Sequence, residues 1–597
     1  MFSLISFLQK LTAQKKWRFI PLVLTVATLA IACNNTQTTT TNPEISTAPE
    51  PSTFIWARYS DSDTLDPQKS TSLLSKQVIN QIYDTLLAFD DQGKIQPNLA
   101  QEWSISDDGQ EYTLKLNENI KCHDGTAFDA KAVKFTMDRA IDAETENKTK
   151  DSWGPIETVE VVDDLTVKVT MAKAFSPFLR FLADPYSSMI CPSAIQTYGN
   201  KFGIEGTIGT GPFKFVEWTS GEQLVLEANP DYKNYGRPVQ NSGVPDIKKL
   251  VIKTMPEAEA RLAAVKSGEV HLTEPPLGEI SQIEEDSKLK LHVADNTGQI
   301  VFFEFVTSRP PFDDKRARQA VAYAIDPKNA TEEELAGLVK PSECAIADVM
   351  FPHKGKLCSE FSIKPNQERA KTLLTELGYS EDKPLEITLL TWQGGNRQKV
   401  VENFQTQLEE LGIKANFETM DIGTLNARIK QENSQTEGKG IVNMMGWSWY
   451  DPDFLYTLWH SPGWMGGYHS DELDKLLEEM RTTTNSEQRQ EKIVAVQKYL
   501  LDNAVMVPLY SPGWMWSYVS NSDVEGLKIG AFNQPQFNDV KLSTNPAEKE
   551  PVESPASPET EEVEQPVSTE ENQEDKESIS SPENEQEVEV SPSPESE

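Results

Sequence analysis

The stretch that decides the fold spans residues 83–142 and reads YDTLLAFDDQGKIQPNLAQEWSISDDGQEYTLKLNENIKCHDGTAFDAKAVKFTMDRAID. Residues 111–116 alternate polar and apolar side chains, which predicts a half-buried strand. Turn residues flank this strand, with Asp-Asp-Gly before it at 107–109 and His-Asp-Gly after it at 123–125. Asp129 then predicts the N-cap of an amphipathic helix. The local pattern indicates a compact unit of strand, turn and helix.

The same stretch resembles the signature of family 5 solute-binding proteins, the large receptors of ABC importers for dipeptides, oligopeptides and nickel. The family pattern is roughly P-N-L-A-x-x-W, then D-G-x-x-Y-x-F-x-L, then F-H-D-G-x-P-x-x-A-x-D-V, and this chain keeps most of it. Cys122 replaces an aromatic residue of that pattern, and Ala127 replaces its proline. The resemblance implies a mixed α/β, two-lobe periplasmic-binding-protein-like fold of type II (class C), with a discontinuous first lobe. It also implies a binding function with neither catalysis nor a cofactor.

The resemblance and the composition together divide the chain. Residues 385–420 read as strand, helix and strand, which predicts a βαβ unit with a parallel strand pair. A chain that leaves one lobe, builds another and comes back forms a hinge of two crossing segments. The expected segments are a signal peptide at 1–32, a disordered tether at 33–52, lobe I at 53–298 with a sub-domain within about 85–200, lobe II at 299–504, a return to lobe I at 505–544, and a disordered acidic tail at 545–597.

Length and charge limit the classes of protein that fit. A chain of 597 residues is too long for one hydrophobic core and predicts two or more lobes. The formal net charge is −37, of which the eighteen acidic residues and two lysines in 546–597 supply −16. Such acidity argues against nucleic acid or an anionic membrane surface as the partner, because their phosphates would repel it.

The N-terminus has the pattern of a secretory signal. Basic residues precede an apolar run at 19–32 that is short for a membrane span. The run ends in Ala-Ile-Ala before Cys33, which resembles a bacterial lipobox. The predicted lipid attachment site is Cys33, which places the protein outside the cytoplasm on a membrane anchor. An ordinary signal peptide and an uncleaved anchor are the alternatives.

Four further cysteines permit two disulfides outside the cytoplasm. Cys344 and Cys358 lie close together in a loop, so we predict that they pair; a bond between Cys122 and Cys191 would follow only by elimination. Cys122-His123-Asp124 could be read as a thiol nucleophile beside its base, but a turn is the stronger interpretation. The histidines lack the tight spacing of a metal site, and none is predicted.

Two stretches rich in aromatic residues and glycine end predicted strands of lobe II, at 391–395 and 446–453. In proteins that this chain resembles, the equivalent loops line the cleft between the lobes, and an Asp in peptide binders accepts the α-amino group of the ligand. This chain lacks the earlier Asp of that motif, which leaves Asp451 or Asp453 for the role. Core packing is the alternative for the tryptophans. The predicted ligand-binding residues are Arg58, Tyr59, Ser60, Trp392, Gln393, Gly394, Trp447, Trp449, Tyr450, Asp451 and Asp453.

The leading hypothesis is a monomeric, lipid-anchored receptor that closes two lobes around a small solute, a peptide before others, and delivers it to ABC permease subunits. A receptor for a metal chelate of the nickel type is an alternative within the same fold. A secreted hydrolase is a weaker alternative, because the chain has neither G-x-S-x-G nor H-E-x-x-H. A third hypothesis is an envelope protein whose acidic tail is the working part.

Overall fold

The computed structural model of the protein describes residues 52–294, 297–334, 339–350, 357–392, 397–461, 463, 467–512 and 517–543. The predicted signal peptide, Cys33, the tether, the acidic tail, Gln393 and Gly394 lie outside these residues. The chain divides into a unit of residues 1–544, to which all described residues belong, and a second unit of residues 545–597. No helix among the described residues combines the length and the apolar character needed to cross a membrane.

The strands are numbered in chain order. They are β1 (Thr53–Arg58), β2 (Leu87–Phe89), β3 (Ile95–Pro97), β4 (Ala100–Ile105), β5 (Glu111–Leu116), β6 (Ile156–Asp163), β7 (Thr166–Met171), β8 (Phe213–Thr219), β9 (Gln223–Ala228), β10 (Lys249–Thr254), β11 (Leu272–Thr273), β12 (Leu289–His292), β13 (Gln299–Phe305), β14 (Lys340–Pro341), β15 (Glu386–Trp392), β16 (Lys414–Met420), β17 (Gly440–Ser448), β18 (Met506–Ser511), β19 (Tyr518–Asn521), β20 (Val524–Glu525), β21 (Lys528–Gly530), β22 (Gln534–Gln536) and β23 (Lys541–Leu542).

The helices are numbered in the same way. They are α1 (Leu73–Ile82), α2 (Ala130–Ile141), α3 (Phe178–Phe181), α4 (Pro192–Tyr198), α5 (Ala258–Ser267), α6 (Ile280–Glu285), α7 (Lys315–Ala324), α8 (Pro327–Glu334), α9 (Gln367–Glu376), α10 (Arg397–Glu409), α11 (Ile422–Asn433), α12 (Phe454–Trp459), α13 (Asp471–Thr482) and α14 (Ser486–Asp502).

The stretch quoted first folds as its pattern predicts. β5 buries alternate residues and lies inside a four-stranded sheet of order β4-β5-β7-β6. Asp129 caps α2, because its side chain accepts hydrogen bonds from the backbone N–H groups of Lys131 and Ala132. Residues 158–170, which alternate around an Asp-Asp pair, form the antiparallel hairpin β6–β7.

A seven-stranded sheet of order β12-β19-β11-β1-β10-β9-β8 contains the first strand of the described chain. β1 runs parallel to β10 and to β11, and β19 returns antiparallel between β11 and β12. Apolar residues are buried on both faces of this sheet, with Trp56 and Leu250 on one and Ala57 and Val251 on the other. The sheet is therefore a layer covered on both sides.

A six-stranded sheet of order β14-β18-β13-β17-β15-β16 follows in the chain. β15, α10 and β16 form the predicted βαβ unit, because β15 and β16 pair in parallel. The return to the first sheet occurs later than expected. The expected return to lobe I begins at residue 505, but β18 pairs with β13 and β14 within the six-stranded sheet, and the returning strand is β19.

One apolar core joins the four-stranded sheet to the six-stranded sheet. It contains Tyr112 and Leu114 of β5 together with Phe302 of β13 and Met445 of β17. A second core covers the other face of the six-stranded sheet, where Phe303 packs edge-on against Phe404 of α10. The region around the four-stranded sheet is therefore packed onto the six-stranded sheet through a shared apolar core.

Candidate functional site

The chain crosses between the two large sheets at the carboxyl ends of their parallel strands. In the seven-stranded sheet, β12 ends at His292, which pairs with Tyr518 at the start of β19, next to the end of β11. In the six-stranded sheet, β13 starts at Gln299, which pairs with Ser448 at the end of β17. Both crossings, at 293–298 and at 512–517, therefore join the two carboxyl edges. Ligands of open α/β sheets bind in the crevice outside such edges.

An aromatic wall, made of Trp392, Trp447, Trp449 and Tyr450, forms the edge of the six-stranded sheet. The ring of Trp392 lies over Gly446, where an added Cβ would come within 2.9 Å of the indole. The rings of Trp447 and Trp449 are 6.4 Å apart, and Trp449 stacks on Tyr450 at 5.1 Å. The three tryptophans are half-buried and Tyr450 is buried. Rings that keep part of their faces exposed at a strand edge can stack on a ligand.

Arg397, which sequence reasoning did not select, extends this wall. Its guanidinium lies 4.1 Å from the Trp392 ring centroid, which is the distance of a cation–π contact. Burial lowers the pKa of Arg397 to about 10, although the Tyr510 phenol partly offsets that effect. The wall therefore combines aromatic faces with one buried positive charge.

Asp451 and Asp453, the predicted acceptors for a ligand amine, are both paired with arginines. Each oxygen of Asp451 accepts a hydrogen bond from Arg489, at 2.6 and 2.9 Å, and Arg180 lies 3.4 Å away. Arg481 binds both oxygens of Asp453, at 2.6 and 2.8 Å. We call these five residues the ionic cluster. Because guanidinium groups already satisfy both carboxylates, a ligand ammonium would have to displace them.

The pKa values of the two carboxyl groups follow from these pairs. Burial acts to raise the pKa of Asp451, but the charges of Arg489 and Arg180 outweigh it and hold the pKa below its ordinary value. Burial dominates at Asp453 and raises its pKa, although Arg481 opposes the shift. The cluster is therefore a buried network in which guanidinium groups hold both carboxyl groups in place.

Arg180 connects the ionic cluster to α3, which lies beside the four-stranded sheet. It donates two hydrogen bonds to the carbonyl of Tyr450, at 2.9 and 2.7 Å. A third bond of 2.7 Å reaches the carbonyl of Gly93. This arginine therefore positions the end of the aromatic wall from outside the six-stranded sheet. A single base within the apolar run FLRFLAD was the sequence signal for it.

The predicted residues of the other edge have different environments. Arg58 is 1% exposed and donates to the carbonyl of Leu74 at 2.7 Å and to the hydroxyl of Ser62 at 3.1 Å. Burial lowers the pKa of Arg58, partly offset by Glu274. Tyr59 is 48% exposed and Ser60 is exposed. Tyr59 and Ser60 are thus accessible at the carboxyl end of β1, whereas Arg58 holds that end against α1.

Comparison with known proteins assigns the chain to a family. Residues 94–466 match the family model described as bacterial extracellular solute-binding proteins, family 5 Middle. The chain is a family 5 solute-binding protein.

A curated relative and two solved structures are similar to this chain. The glutathione-binding protein GsiB of Pectobacterium atrosepticum is 31% identical over 387 residues, which cover 63% of this chain and 70% of the relative. The periplasmic binding protein DppA of Helicobacter pylori, solved in complex with the peptide STSA, is 26% identical, with a TM-score of 0.64, and the match covers 82% of this chain and 98% of that one. CtaP of Listeria monocytogenes has a TM-score of 0.71 at 22% identity, with 82% and 99% covered. The mixed α/β architecture is therefore that of type II periplasmic binding proteins, and the relatives bind solutes rather than transform them.

All four described cysteines of this family 5 protein form disulfides, so Cys122 is not a free thiol. Cys344 bonds to Cys358, as predicted, and Cys122 bonds to Cys191. The His123 ring accepts from the N–H of Gly209 and contacts the carbonyl of Gly211, and burial lowers the pKa of His123 to about 4. Cys122-His123-Asp124 is therefore a turn fastened by a disulfide and not a nucleophile beside its base.

Proposed function

We propose that this family 5 protein captures a peptide or a peptide-like solute between the carboxyl edges of its two large sheets and delivers it to an ABC permease. The observation that carries the proposal is the position of the two crossings, which join those edges and leave the aromatic wall beside them. Trp392, Trp447 and Trp449 stack on the solute, and Tyr59 and Ser60 contact it from the seven-stranded sheet. Gln393 and Gly394, which follow β15 in the sequence, belong to the same proposed set of contacts.

The relatives support this class of solute. One is a glutathione-binding protein and another was solved with a bound peptide, and both ligands are short chains of amide bonds. The ionic cluster leaves Asp451 and Asp453 in a structural role, so the amine of the solute is recognised elsewhere. The described residues hold no group of three His, Cys, Asp or Glu side chains that could bind a metal ion. A metal chelate that brings its own ligands stays the alternative solute within the same fold.

The proposal includes a lipid anchor at Cys33 and a monomeric state of the receptor. Cys33 carries the lipid, which holds a monomeric receptor at the outer side of a membrane where the permease can reach it. Mass spectrometry of the N-terminal peptide from membrane fractions tests this directly. A diacylated Cys33 is the expected product, and an unmodified mature terminus would contradict it.

Calorimetry tests the binding site. Trialanine and glutathione are the probes, and Trp392→Ala and Trp449→Ala should each weaken the binding of whichever probe the wild type takes by about tenfold, since stacking contributes roughly 1 kcal/mol beyond buried area. Trp103→Ala is the matched control, because Trp103 lies in β4, away from either edge, and should leave affinity unchanged. Affinity that survives both edge substitutions would refute the site.

Scattering tests the closure. A solute that binds the closed state more tightly should lower the radius of gyration, whereas one with equal affinity for both states shifts nothing. A receptor leaves the probe intact after prolonged incubation, whereas a hydrolase would cleave it. Measuring the amount of intact probe therefore distinguishes the two functions.

A further inference from the structure

A small cavity of about 40 Å³ lies between α1, the residues around β2 and β3, and β22. We call it the amide cavity, because Asn98, Gln534 and Gln536 line it. One of its walls is Phe532, whose ring is 4.7 Å from that of Phe89. Phe532 also packs against Gly298, the residue at the first crossing, whose carbonyl accepts from the N–H of Trp449 at 3.2 Å. The cavity is thus one aromatic ring behind the aromatic wall.

Three amide oxygens on side chains that line this cavity have no hydrogen-bond donor among the described residues. They are Asn98 Oδ1, Gln534 Oε1 and Gln536 Oε1, on side chains that are 1%, 5% and 6% exposed. Their orientation is constrained at two positions. Asn98 Nδ2 donates to the carbonyl of Thr85 at 2.9 Å and Gln534 Nε2 to that of Phe532 at 3.2 Å, so rotating either amide by half a turn would set oxygen against oxygen. The oxygens of Asn98 and Gln534 are therefore held as buried acceptors.

The charged groups of the lining do not supply the missing donors. Arg237 donates to Asp84 at 2.8 Å and to the carbonyls of Asn80 and Tyr83. Lys76 donates to Asp184, whose other oxygen accepts from the N–H of Tyr186. A carboxylate accepts about four hydrogen bonds, so Asp184 keeps capacity for more. The cavity therefore offers amide acceptors, beside the Asp184 carboxylate, which is paired with Lys76, and the Arg237 guanidinium, which is paired with Asp84.

The wall of the cavity is also strained. Phe532 and Asn533 have φ values of 58° and 59°, in the left-handed region that side chains other than those of Gly and Asn rarely adopt. Strain of this kind persists only where the surrounding structure holds it, and it concentrates at ligand-binding sites. The strained segment carries Phe532 into contact with Gly298 and places Gln534 and Gln536 at the lining.

We propose that the amide cavity binds the ammonium group of the captured solute. An ammonium has three donors and no acceptor, which complements three amide oxygens and a carboxylate. This inference rests on the proposed function, and it places amine recognition in the cavity behind Phe532 because the carboxylates of the ionic cluster are paired with arginines.

Amine-free probes test the proposal. Trialanine is compared with propionyl-Ala-Ala and glutathione with glutaryl-Cys-Gly, pairs in which a hydrogen replaces the ammonium with no added bulk. The wild type should bind the amine member at least tenfold more tightly. The Gln536 side-chain amide makes no hydrogen bond with the described residues. Gln536→Met removes its oxygen and should reduce the ratio of the two affinities, amine member over amine-free member, several-fold. Gln536→Glu, which adds a negative charge, should increase it. Gln101→Met is the control in β4, outside the lining of the cavity, where the half-buried Gln101 amide donates to the carbonyl of Leu116 at 2.9 Å.

The outcomes separate this inference from the proposed function. If the wild type binds both members of a pair equally, or if Gln536→Met leaves the ratio unchanged, the amine lies elsewhere while the receptor function stands. Methylammonium supplies a test that needs no peptide: at tens of millimolar it should raise the melting temperature of the wild type more than that of Gln536→Met. An equal rise in both proteins would mean that the cavity holds water only and would overturn the inference.

Discussion

The ionic cluster and the amide cavity are both buried and polar, but they differ in whether their oxygen atoms accept hydrogen bonds. In the ionic cluster each oxygen of Asp451 and Asp453 faces a guanidinium donor within 3 Å. In the amide cavity three carbonyl oxygens receive no donor from the described residues. Burial of polar groups costs free energy unless they are paired. A satisfied network therefore supports a fold, whereas an unsatisfied one is complementary to something that arrives later.

The strongest test of this contrast removes one partner from the ionic cluster. Arg489→Met leaves Asp451 as a buried carboxylate that has lost its two shortest ion-pair bonds, and such a loss costs about 3–5 kcal/mol. Urea unfolding of the full chain measures it. The double variant Arg489→Met/Asp451→Leu should recover much of the loss, because it removes the stranded charge as well.

Arg316→Met supplies the control for that experiment. Arg316 pairs with Asp314 at 2.6 Å, but the two side chains are 50% and 34% exposed, and an ion pair in solvent contributes below about 1 kcal/mol. Similar losses for Arg316→Met and Arg489→Met would show that the cluster is no more structural than a surface pair.

A second prediction concerns Glu304, a buried carboxyl group without an arginine. It lies in β13, is 6% exposed, and accepts one hydrogen bond from Asn443 at 3.3 Å. Burial raises the pKa of Glu304 to about 7 from the usual 4.5, and the bond from Asn443 only partly opposes this. The folded state therefore binds the proton more tightly than the unfolded chain. The stabilisation is complete below about pH 4.5 and is lost as the pH rises to about 7, a change on the order of 3 kcal/mol.

Glu304→Gln removes that dependence, because an amide carries no charge at any pH. The unfolding free energy of the variant minus that of the wild type should therefore increase between pH 5 and pH 8, because only the wild type loses the contribution of Glu304. The difference matters because burial lowers the pKa of His123, His271 and His292 to about 4, so these groups add stability as the pH rises and oppose Glu304 in the wild type. A difference that stays flat over this range would mean that Glu304 is ionised in the folded protein.

The sequence predicts most of the local structure, because its signals are short-range. Alternation over 111–116 predicts β5, Asp129 predicts the start of α2, and the lengths within 385–420 predict the parallel pair of β15 and β16. The apolar residues at 505–510 show that short-range signals do not predict which sheet a strand joins. They predict a strand, but the sheet that it joins depends on pairing with β13, about two hundred residues earlier.

The candidate site is less predictable for the same reason. The aromatic wall is visible as a cluster of tryptophans and glycine at strand ends. The partners of Asp451 are not visible, because Arg180 and Arg489 lie far from it in the chain and carry no local pattern. Residues from four separate segments line the amide cavity, at 80–98, 183–185, 237–238 and 531–536. A glutamine at position 536 has no sequence pattern that marks it, and only the fold places it there. Sequence patterns identify residue types suited to a site, and long-range packing decides which remain unpaired.

The smallest expected effect completes the comparison between the two regions. Gln536→Met should leave the unfolding free energy within about 1 kcal/mol of wild type, or raise it, because the substitution removes an unpaired buried oxygen and breaks no hydrogen bond among the described residues. Arg489→Met at the ionic cluster should cost several times more, although both replace one buried polar side chain by methionine. Thermal unfolding of the two variants without solute makes the comparison directly. A loss of several kcal/mol for Gln536→Met would show that its amide supports the fold, and the division between a structural polar region and a binding one would then fail.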